Sequence, residues 1–266
     1  MKKVFLALAV AGLTTMVVFG QKKETRSVSG FTGIDASNAF EITVVKGATE
    51  SLTIEADDAI MPLVRSEVRN GVLHLYLDNA RNLRSIKTLK ASVVMRNLDR
   101  VTLSGASKLV ANDLFTPESF KGDCSGATNM TVNLNTGRLS INASGVSKIQ
   151  LKANVNGNAD FDLSGTSKLQ GELQAAGVNF ETSGVSSIDV TGSASNIKID
   201  SSGTSKFNGE DFKVKTANID SSGTSKVNVN VTDAMKVDAS GVSSVNYKGA
   251  PTIQMSTSGA SRIRSI

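Results

Sequence analysis

The sequence predicts an all-β protein, a right-handed parallel β-helix with about 18–21 residues per coil and a β-rich N-terminal cap. Three observations predict this fold class. A short motif returns nine times, large apolar residues stand at fixed distances on both sides of it, and hydroxyl and charged residues form columns around it. A single coil of this length cannot bury its apolar side chains alone, so we expect the coils to stack.

The repeated motif is Ser-Gly-x-Ser, with Thr128 replacing the second Ser in one copy. Successive copies are separated by 21, 19, 20, 19, 19, 20, 18 and 18 residues, and this nearly fixed period indicates a repeat protein. The motif glycines are Gly105, Gly126, Gly145, Gly165, Gly184, Gly203, Gly223, Gly241 and Gly259.

Two apolar columns flank the motif, four residues before each glycine and four residues after it. Seventeen of these eighteen positions hold a large apolar residue, and Gly122 is the exception. The surrounding residues alternate with a period of two, as in half-buried strands. Stacking would turn each column into a continuous rib, so we expect both columns to face the core. The preceding column is Val101, Gly122, Ile141, Phe161, Phe180, Ile199, Ile219, Val237 and Met255; the following one is Leu109, Met130, Ile149, Leu169, Ile188, Phe207, Val227, Val245 and Ile263.

Two charged columns lie next to the ribs and, by alternation, should point outward on either side of the Ser-Gly corner. Residues three before the glycine are mostly acidic, and residues three after it are mostly basic. Glycine allows a positive φ or a close approach of the next coil, and the second serine could hydrogen-bond from coil to coil. The candidate interaction face is therefore Asp162, Glu181, Asp200, Asp220 and Asp238 with Lys148, Lys168, Lys206 and Lys226.

Other solenoids fit the sequence less well. The copies lack the closely spaced Leu and Asn of leucine-rich repeats and the paired Gly and Asp of calcium-binding nonapeptides. A left-handed hexapeptide helix would show three short repeats per turn, whereas this chain shows one motif per turn with a drifting period. The right-handed form is also the usual hand of parallel crossovers.

The region before the repeats is β-rich but irregular. Segments 40–45, 52–55 and 73–77 alternate as strands do, and Asn70-Gly71 is typical of a hairpin turn. Residues 57–66 predict one short helix, with Asp57 or Asp58 as its cap and Pro62 in its first turns. A solenoid needs its open end covered, so we divide the chain into a tail (21–29), a cap (30–98) and nine coils (99–266), with 30–266 as one domain.

Residues 1–20 have the pattern of a signal peptide. Lys2 and Lys3 precede an apolar stretch at 4–19, and Gly20 is a small residue before the polar Gln21. We expect export with cleavage after Gly20; an uncleaved anchor is the alternative. Cleavage removes two lysines and no acid, so the formal net charge falls from +5 to +3, too small an excess to require a nucleic-acid partner.

The Ser-Gly-x-Ser copies and segments 31–35, 68–75 and 97–105 resemble the head GIN domain family of putative autotransporter adhesins. The resemblance covers nearly all of residues 27–266. It implies an exported protein of Gram-negative bacteria with a right-handed β-helix, located in the periplasm, on the outer-membrane surface or outside the cell.

The composition excludes much catalytic chemistry. There is no Trp, one His, one Cys and three Pro, which leaves no His-based metal site, disulfide scaffold or cysteine zinc cluster. The repeated serines are a structural ladder rather than nucleophiles, because no base singles out one copy. Consecutive carboxylates could hold Ca²⁺ between coils, but neutralisation by nearby lysines is the favoured interpretation. We expect His74 to face outward and Cys124 to fill the core.

Three function classes remain. The first is a non-enzymatic adhesin-like protein that binds an unknown protein or polysaccharide at the envelope through the side of the β-helix. The second is a periplasmic structural or envelope-stress protein, and the third is a polysaccharide-processing enzyme, which would need two carboxylates in different environments and a cleft that breaks the repeat. We predict no cofactor, no metal, no nucleic acid and no stable membrane insertion after cleavage, and leave open a homo-oligomer through the ends or sides.

Overall fold

A computed structural model describes residues 20–79 and 86–266 of the chain, and the apolar stretch of the predicted signal peptide lies outside them. The described chain contains twenty strands and one turn of 3₁₀ helix, Met61–Leu63. The strands are β1 (Gln21–Arg26), β2 (Gly33–Ala36), β3 (Glu41–Lys46), β4 (Ser51–Asp57), β5 (Val64–Arg69), β6 (Val72–Leu77), β7 (Leu89–Met95), β8 (Arg100–Leu103), β9 (Lys108–Phe115), β10 (Ser119–Cys124), β11 (Asn129–Thr136), β12 (Arg138–Ala143), β13 (Lys148–Leu163), β14 (Lys168–Thr182), β15 (Ser187–Ser201), β16 (Lys206–Ser221), β17 (Lys226–Ala239), β18 (Ser244–Lys248), β19 (Thr252–Thr257) and β20 (Arg262–Ser265).

From β8 onward the chain forms stacked coils, which confirms the predicted solenoid of about 9 turns. Each coil pairs in parallel with the next, and equivalent residues lie opposite each other; Phe161 pairs with Phe180, and Phe180 with Ile199. The Phe161 and Phe180 rings stack with centroids 4.8 Å apart. Both apolar columns face the core, where Ile199 and Ile219 are fully buried, so the ribs are the continuous apolar interior of the stack.

The ribs depart from the pattern at two levels, at Gly122 and in the last coil, where Met255 is exposed and Ile263 half-buried. At Gly122 a side chain would meet Met130, whose Cε lies 3.0 Å from the place of the missing Cβ. The long Met130 of the same coil therefore fills this level of the core. Met255 was expected in the core but is 59% exposed, because its strand β19 pairs only with β17 and has no coil on its other side.

The geometry of the Ser-Gly corner explains why every copy of the motif has glycine at this position. Every motif glycine has a φ between 68° and 82°, the left-handed region that favours glycine. A Cβ on Gly203 would lie 2.6 Å from the carbonyl oxygen of Gly184. That same oxygen accepts a hydrogen bond from the Thr204 N–H at 2.8 Å. The coils approach so closely here that only glycine fits.

The second serines of the motif are buried and were expected to bond from coil to coil. Most of them instead donate within their own turn, as Ser147 and Ser167 do to the carbonyls of Ser144 and Ser164 at 2.7 Å. Coil-to-coil bonds occur at a few levels, such as Thr128 to Ser147 at 3.0 Å. The main role of the column is therefore to hold each turn together, and bonds between neighbouring coils are the less frequent role.

The coil geometry begins before the first motif. Strands β2 and β3 pair in parallel with β8 and β9, and the turn between them places Asn38 directly below Gly105. Asn38 has a φ of 69°, and its Oδ1 accepts the N–H of Leu77 at 3.0 Å. Asn38 thus takes the role of a motif glycine at the end of the stack, where its side chain bonds to the cap.

Beyond this turn, β6 and β7 pair in parallel with β2 and β3 and continue the stack, and the cap adds antiparallel pairs to it. The predicted Asn70-Gly71 hairpin joins β5 and β6, and both turn residues have positive φ. Residues 21–26, predicted as part of a tail, form β1, which pairs antiparallel with β4. The helix predicted at 57–66 is wrong: only Met61–Leu63 is helical. The Asp57 carboxylate accepts the N–H of Lys87 at 2.9 Å instead of capping a helix, and residues from Val64 onward pair in the hairpin.

Candidate functional site

The acidic column forms an unbroken ladder along one side of the corner. Asp162, Glu181, Asp200, Asp220 and Asp238 lie opposite one another on β13–β17, each in register with the next. All five side chains are exposed or half-buried on the outer surface. The outward direction predicted for this column is therefore the one in the structure, and neighbouring carboxylates are one strand spacing, about 4.8 Å, apart.

Lysines neutralise part of this ladder, but they are not those of the basic column. Lys198 contacts Asp200 at 2.7 Å and Lys236 contacts Asp238 at 3.4 Å; each lysine precedes its partner by two residues on the same strand. The hydrogen bond to Asp200 raises the pKa of Lys198. Both pairs are solvent-exposed, so they contribute little stability, and their main effect is to reduce the local negative charge.

The basic column forms a second ladder on the other side of the corner. Lys148 pairs with Lys168, and Lys206 with Lys226, in the parallel register of β13–β17; Ser187 separates the two pairs. All four lysines are exposed. Within residues 20–79 and 86–266, none of the four ammonium groups lies within ion-pair distance of a carboxylate. Their charge is available to a partner.

A groove runs along the acidic ladder between the carboxylates and the first serines of the motif. One stretch, of about 430 Å³, is lined by Asp162, Glu181, Asp200 and Asp220 with Ser183, Ser202 and Ser222. A second stretch continues from Asp162 towards Thr102, past Asp123 and Asn142. Together they span seven coils, or about 30 Å at the spacing of parallel strands. The surface combines carboxylates and hydroxyls in a long, solvent-open channel.

The corner tip between the two ladders carries a third column that the sequence reasoning missed. The residue after each motif glycine is exposed, yet it is always Ala, Val or Thr: Ala106, Ala127, Val146, Thr166, Val185, Thr204, Thr224, Val242 and Ala260. Val146 is 63%, Val185 58% and Val242 62% exposed. The column could have been predicted from the sequence, because all nine outward positions hold only small or β-branched residues. The tip is an apolar ridge, interrupted by three threonines, with acid on one flank and base on the other.

The remaining candidates for chemistry have structural partners. His74 lies on β6, half-buried, with Nδ1 3.2 Å from Asp35 Oδ2. Cys124 is buried, and loss of hydration raises the pKa of its thiol to about 11, as the packing interpretation predicts. In the part of the chain that the structure describes, no group of three or more His, Cys, Asp or Glu side chains could hold a metal ion.

The fold and this face define a parallel β-solenoid with long charged ladders on its side. A family model described as "Putative auto-transporter adhesin, head GIN domain" matches residues 30–173 and 156–251. The chain belongs to this family, which confirms the resemblance seen in the sequence. No curated protein matches the sequence. Among the described residues, no helix is long and apolar enough to span a membrane.

Solved structures share the architecture. A putative adhesin from Parabacteroides merdae is 16% identical, with a TM-score of 0.68 over 92% of this chain and 96% of that one. A putative adhesin from Parabacteroides distasonis is 18% identical, with a TM-score of 0.62 over 93% and 97%. A putative lipid binding protein from the same species is 15% identical, with a TM-score of 0.59 over 92% and 96%. At these identities the likeness establishes the fold alone.

Proposed function

We propose that the protein is an exported, non-enzymatic adhesin-like domain that binds an envelope protein or polysaccharide through the charged side of its solenoid. The observation that carries the proposal is the pair of ladders, acidic and basic, that flank the Ser-Gly corner in register over several coils. The family described as adhesin head domains supports the same class of function.

The chemistry of the face supports binding rather than turnover. Its carboxylates all lie on the outer surface in one column and differ only in the lysines paired with Asp200 and Asp238, whereas glycoside hydrolysis needs an acid and a base in different environments. Several of its first serines donate to backbone carbonyls of the preceding coil, as Ser202 does to Thr182, and the described histidine pairs with Asp35 instead of a serine. A groove about 30 Å long with a charged wall suits an extended ligand held by several weak, salt-sensitive contacts.

Export is the second part of the proposal. It rests on the pattern of residues 1–20, a basic start followed by an apolar stretch and a small residue. Intact-mass measurement of protein recovered from the periplasm, the cell surface and the medium tests it. Mature protein that starts at Gln21 supports the proposal, and a chain that retains residues 4–19 in the membrane contradicts it.

Charge reversal tests the binding face. We expect Lys168→Glu/Lys206→Glu/Lys226→Glu to lose binding to cell surfaces or matrix at low salt, where charge contacts are strongest. The matched control is Lys23→Glu/Lys213→Glu/Lys215→Glu, which has the same net charge but alters exposed lysines away from the corner. Equal binding by both variants at low and high salt would place the site elsewhere, and turnover of a polysaccharide would overturn the non-enzymatic assignment.

A further inference from the structure

The two ladders complement each other in shape as well as in charge. The basic column projects unpaired ammonium groups into solvent, and the acidic column lines a groove. Three coils carry both charges: Asp162 with Lys168, Asp200 with Lys206, and Asp220 with Lys226. A lysine of the same motif lies six residues from its aspartate across the corner, and the two do not pair with each other, although Asp200 pairs with Lys198. Each chain therefore presents both the projecting and the receiving half of a charge contact.

Symmetry decides how a second copy could use them. A two-fold axis parallel to the solenoid axis, running along the corner tip, exchanges the two flanks of the corner. The basic ladder of one copy then faces the acidic groove of the other on both flanks, and the contact is isologous. A two-fold axis perpendicular to the solenoid would instead set acid against acid and base against base, which like-charge repulsion disfavours. Charge complementarity thus selects parallel solenoids.

The axial spacing favours the same partner. Charges on each ladder recur at about 4.8 Å, the spacing of parallel strands. A partner contacts every level only if its own groups recur at this spacing, and a second parallel solenoid does so by construction. Along the symmetry axis, Val146, Val185 and Val242 would meet their equivalents and lose the water that now covers them.

We propose that two copies of the chain associate side by side, with solenoid axes parallel, corner tips in contact, and the lysines of each copy in the acidic groove of the other. This inference rests on the proposed function, because it assigns a partner to the same face. It adds to adhesion a homotypic mode, in which the domain on one chain recognises the domain on another.

Charge-swap variants test the association by sedimentation at low salt. We expect Lys168→Glu/Lys206→Glu/Lys226→Glu and Asp162→Lys/Asp200→Lys/Asp220→Lys each to weaken self-association by at least about 100-fold. An equimolar mixture of the two should form heterodimers, because one has two acidic flanks and the other two basic flanks. A monomeric wild type at millimolar concentration, or a mixture that stays monomeric while wild type dimerises, would overturn the inference.

Cross-linking tests the orientation. Val146→Cys and Val242→Cys chains, labelled with different masses and mixed, should form 146–146 and 242–242 disulfides but no 146–242 disulfide. The buried native thiol, Cys124, provides little background. A predominant 146–242 product would show antiparallel solenoids and contradict the inference. If the charge variants lose matrix binding although wild type is monomeric, the homotypic inference fails while the proposed function stands. If the variants lose self-association but keep matrix binding, the homotypic contact stands while the proposed binding of another partner through this face fails.

Discussion

The nine-coil stack and the N-terminal cap are both built of short β-strands, but they are held together in different ways. In the stack, equivalent residues of successive coils lie opposite each other, as Ile199 does to Ile219. The cap continues the parallel pairing through β6 and β7, but it adds antiparallel pairs that join unlike residues, such as Gln21 with Asp57 in β1 and β4. The stack thus depends on columns that all coils share, whereas the cap depends also on individual contacts that occur once.

This difference predicts how far the effect of a substitution extends through the structure. A change in a column of the stack affects the coils above and below it, because their backbones are within hydrogen-bond distance. A change in the cap affects one contact and leaves the repeated register intact. The variants below test this contrast.

The largest effect is expected from Ile199→Asp in the core rib. The carboxylate would enter an apolar column between Phe180 and Ile219 with no partner, at a cost of about 4 kcal/mol or more. Thermal unfolding followed by circular dichroism measures the loss. The control Asn218→Asp introduces the same residue on the outer surface of the next coil, beside Ile219 and in register with Lys198 and Lys236, and should change stability by less than about 0.5 kcal/mol. Equal melting temperatures for Ile199→Asp and wild type would show that this column does not face the core.

Gly203→Ala should destabilise the stack by about 3 kcal/mol or more. It combines a φ of 72° with a contact 2.6 Å from the Gly184 carbonyl oxygen. Gly71→Ala in the cap hairpin has a similar φ of 74° but no atom within 4 Å of the added carbon, so only the cost of the backbone conformation, about 1–2 kcal/mol, should remain. Urea titration of both variants compares the two regions directly. Equal losses would mean that stacking adds nothing to the requirement for glycine.

Asn38→Ala should cost about 1–2 kcal/mol, since it loses the hydrogen bond to the Leu77 N–H and keeps a positive φ. Asn38→Gly relieves the backbone and loses only the hydrogen bond, so its effect should be smaller. Hydrogen exchange at the Leu77 amide, which Asn38 protects, locates the effect in the cap. Protection unchanged in Asn38→Ala would contradict the role given to this side chain.

The smallest effect concerns Cys124 in alkaline solution. Burial raises its pKa to about 11 from the model-peptide value of 9.0. Above pH 9 the unfolded chain therefore loses the proton while the folded chain keeps it, so stability falls as pH rises towards 11, by about 1 kcal/mol at pH 10. Cys124→Ala, which copies Ala143 of the next coil, should remove this part of the slope. Identical pH dependence of the urea midpoints would show that the thiol ionises normally in the folded state.

The sequence was sufficient to predict the stack because every column is sampled nine times. The inward ribs, the outward charges and the corner glycines all follow from period and alternation, and Met255 departs only because no coil covers it. The cap offers no such repetition. The partner of β1 lies about thirty residues away at β4. Residues 57–66 do not form a helix because Asp57 and Val64 bind to residues beyond this segment, Lys87 and Leu77.

The candidate face was predicted only in part. The two charged columns were predicted, but the ion pairs that Lys198 and Lys236 form with the acids were not. Each of these lysines precedes its partner by two residues, and alternation puts such pairs on one surface. The groove and the apolar ridge depend on the shape of the corner, which a one-dimensional pattern does not contain.

The central claim is that the outward ladders bind a partner while the inward ribs hold the fold. Measuring matrix binding and the urea midpoint on one preparation of Lys168→Glu/Lys206→Glu/Lys226→Glu, at low and high salt, tests both halves of the claim together. We expect the free energy of unfolding to stay within about 0.5 kcal/mol of wild type, with the midpoint little changed, while binding at low salt is lost. Binding that persists at both salts, or a midpoint that falls together with binding, would contradict the claim.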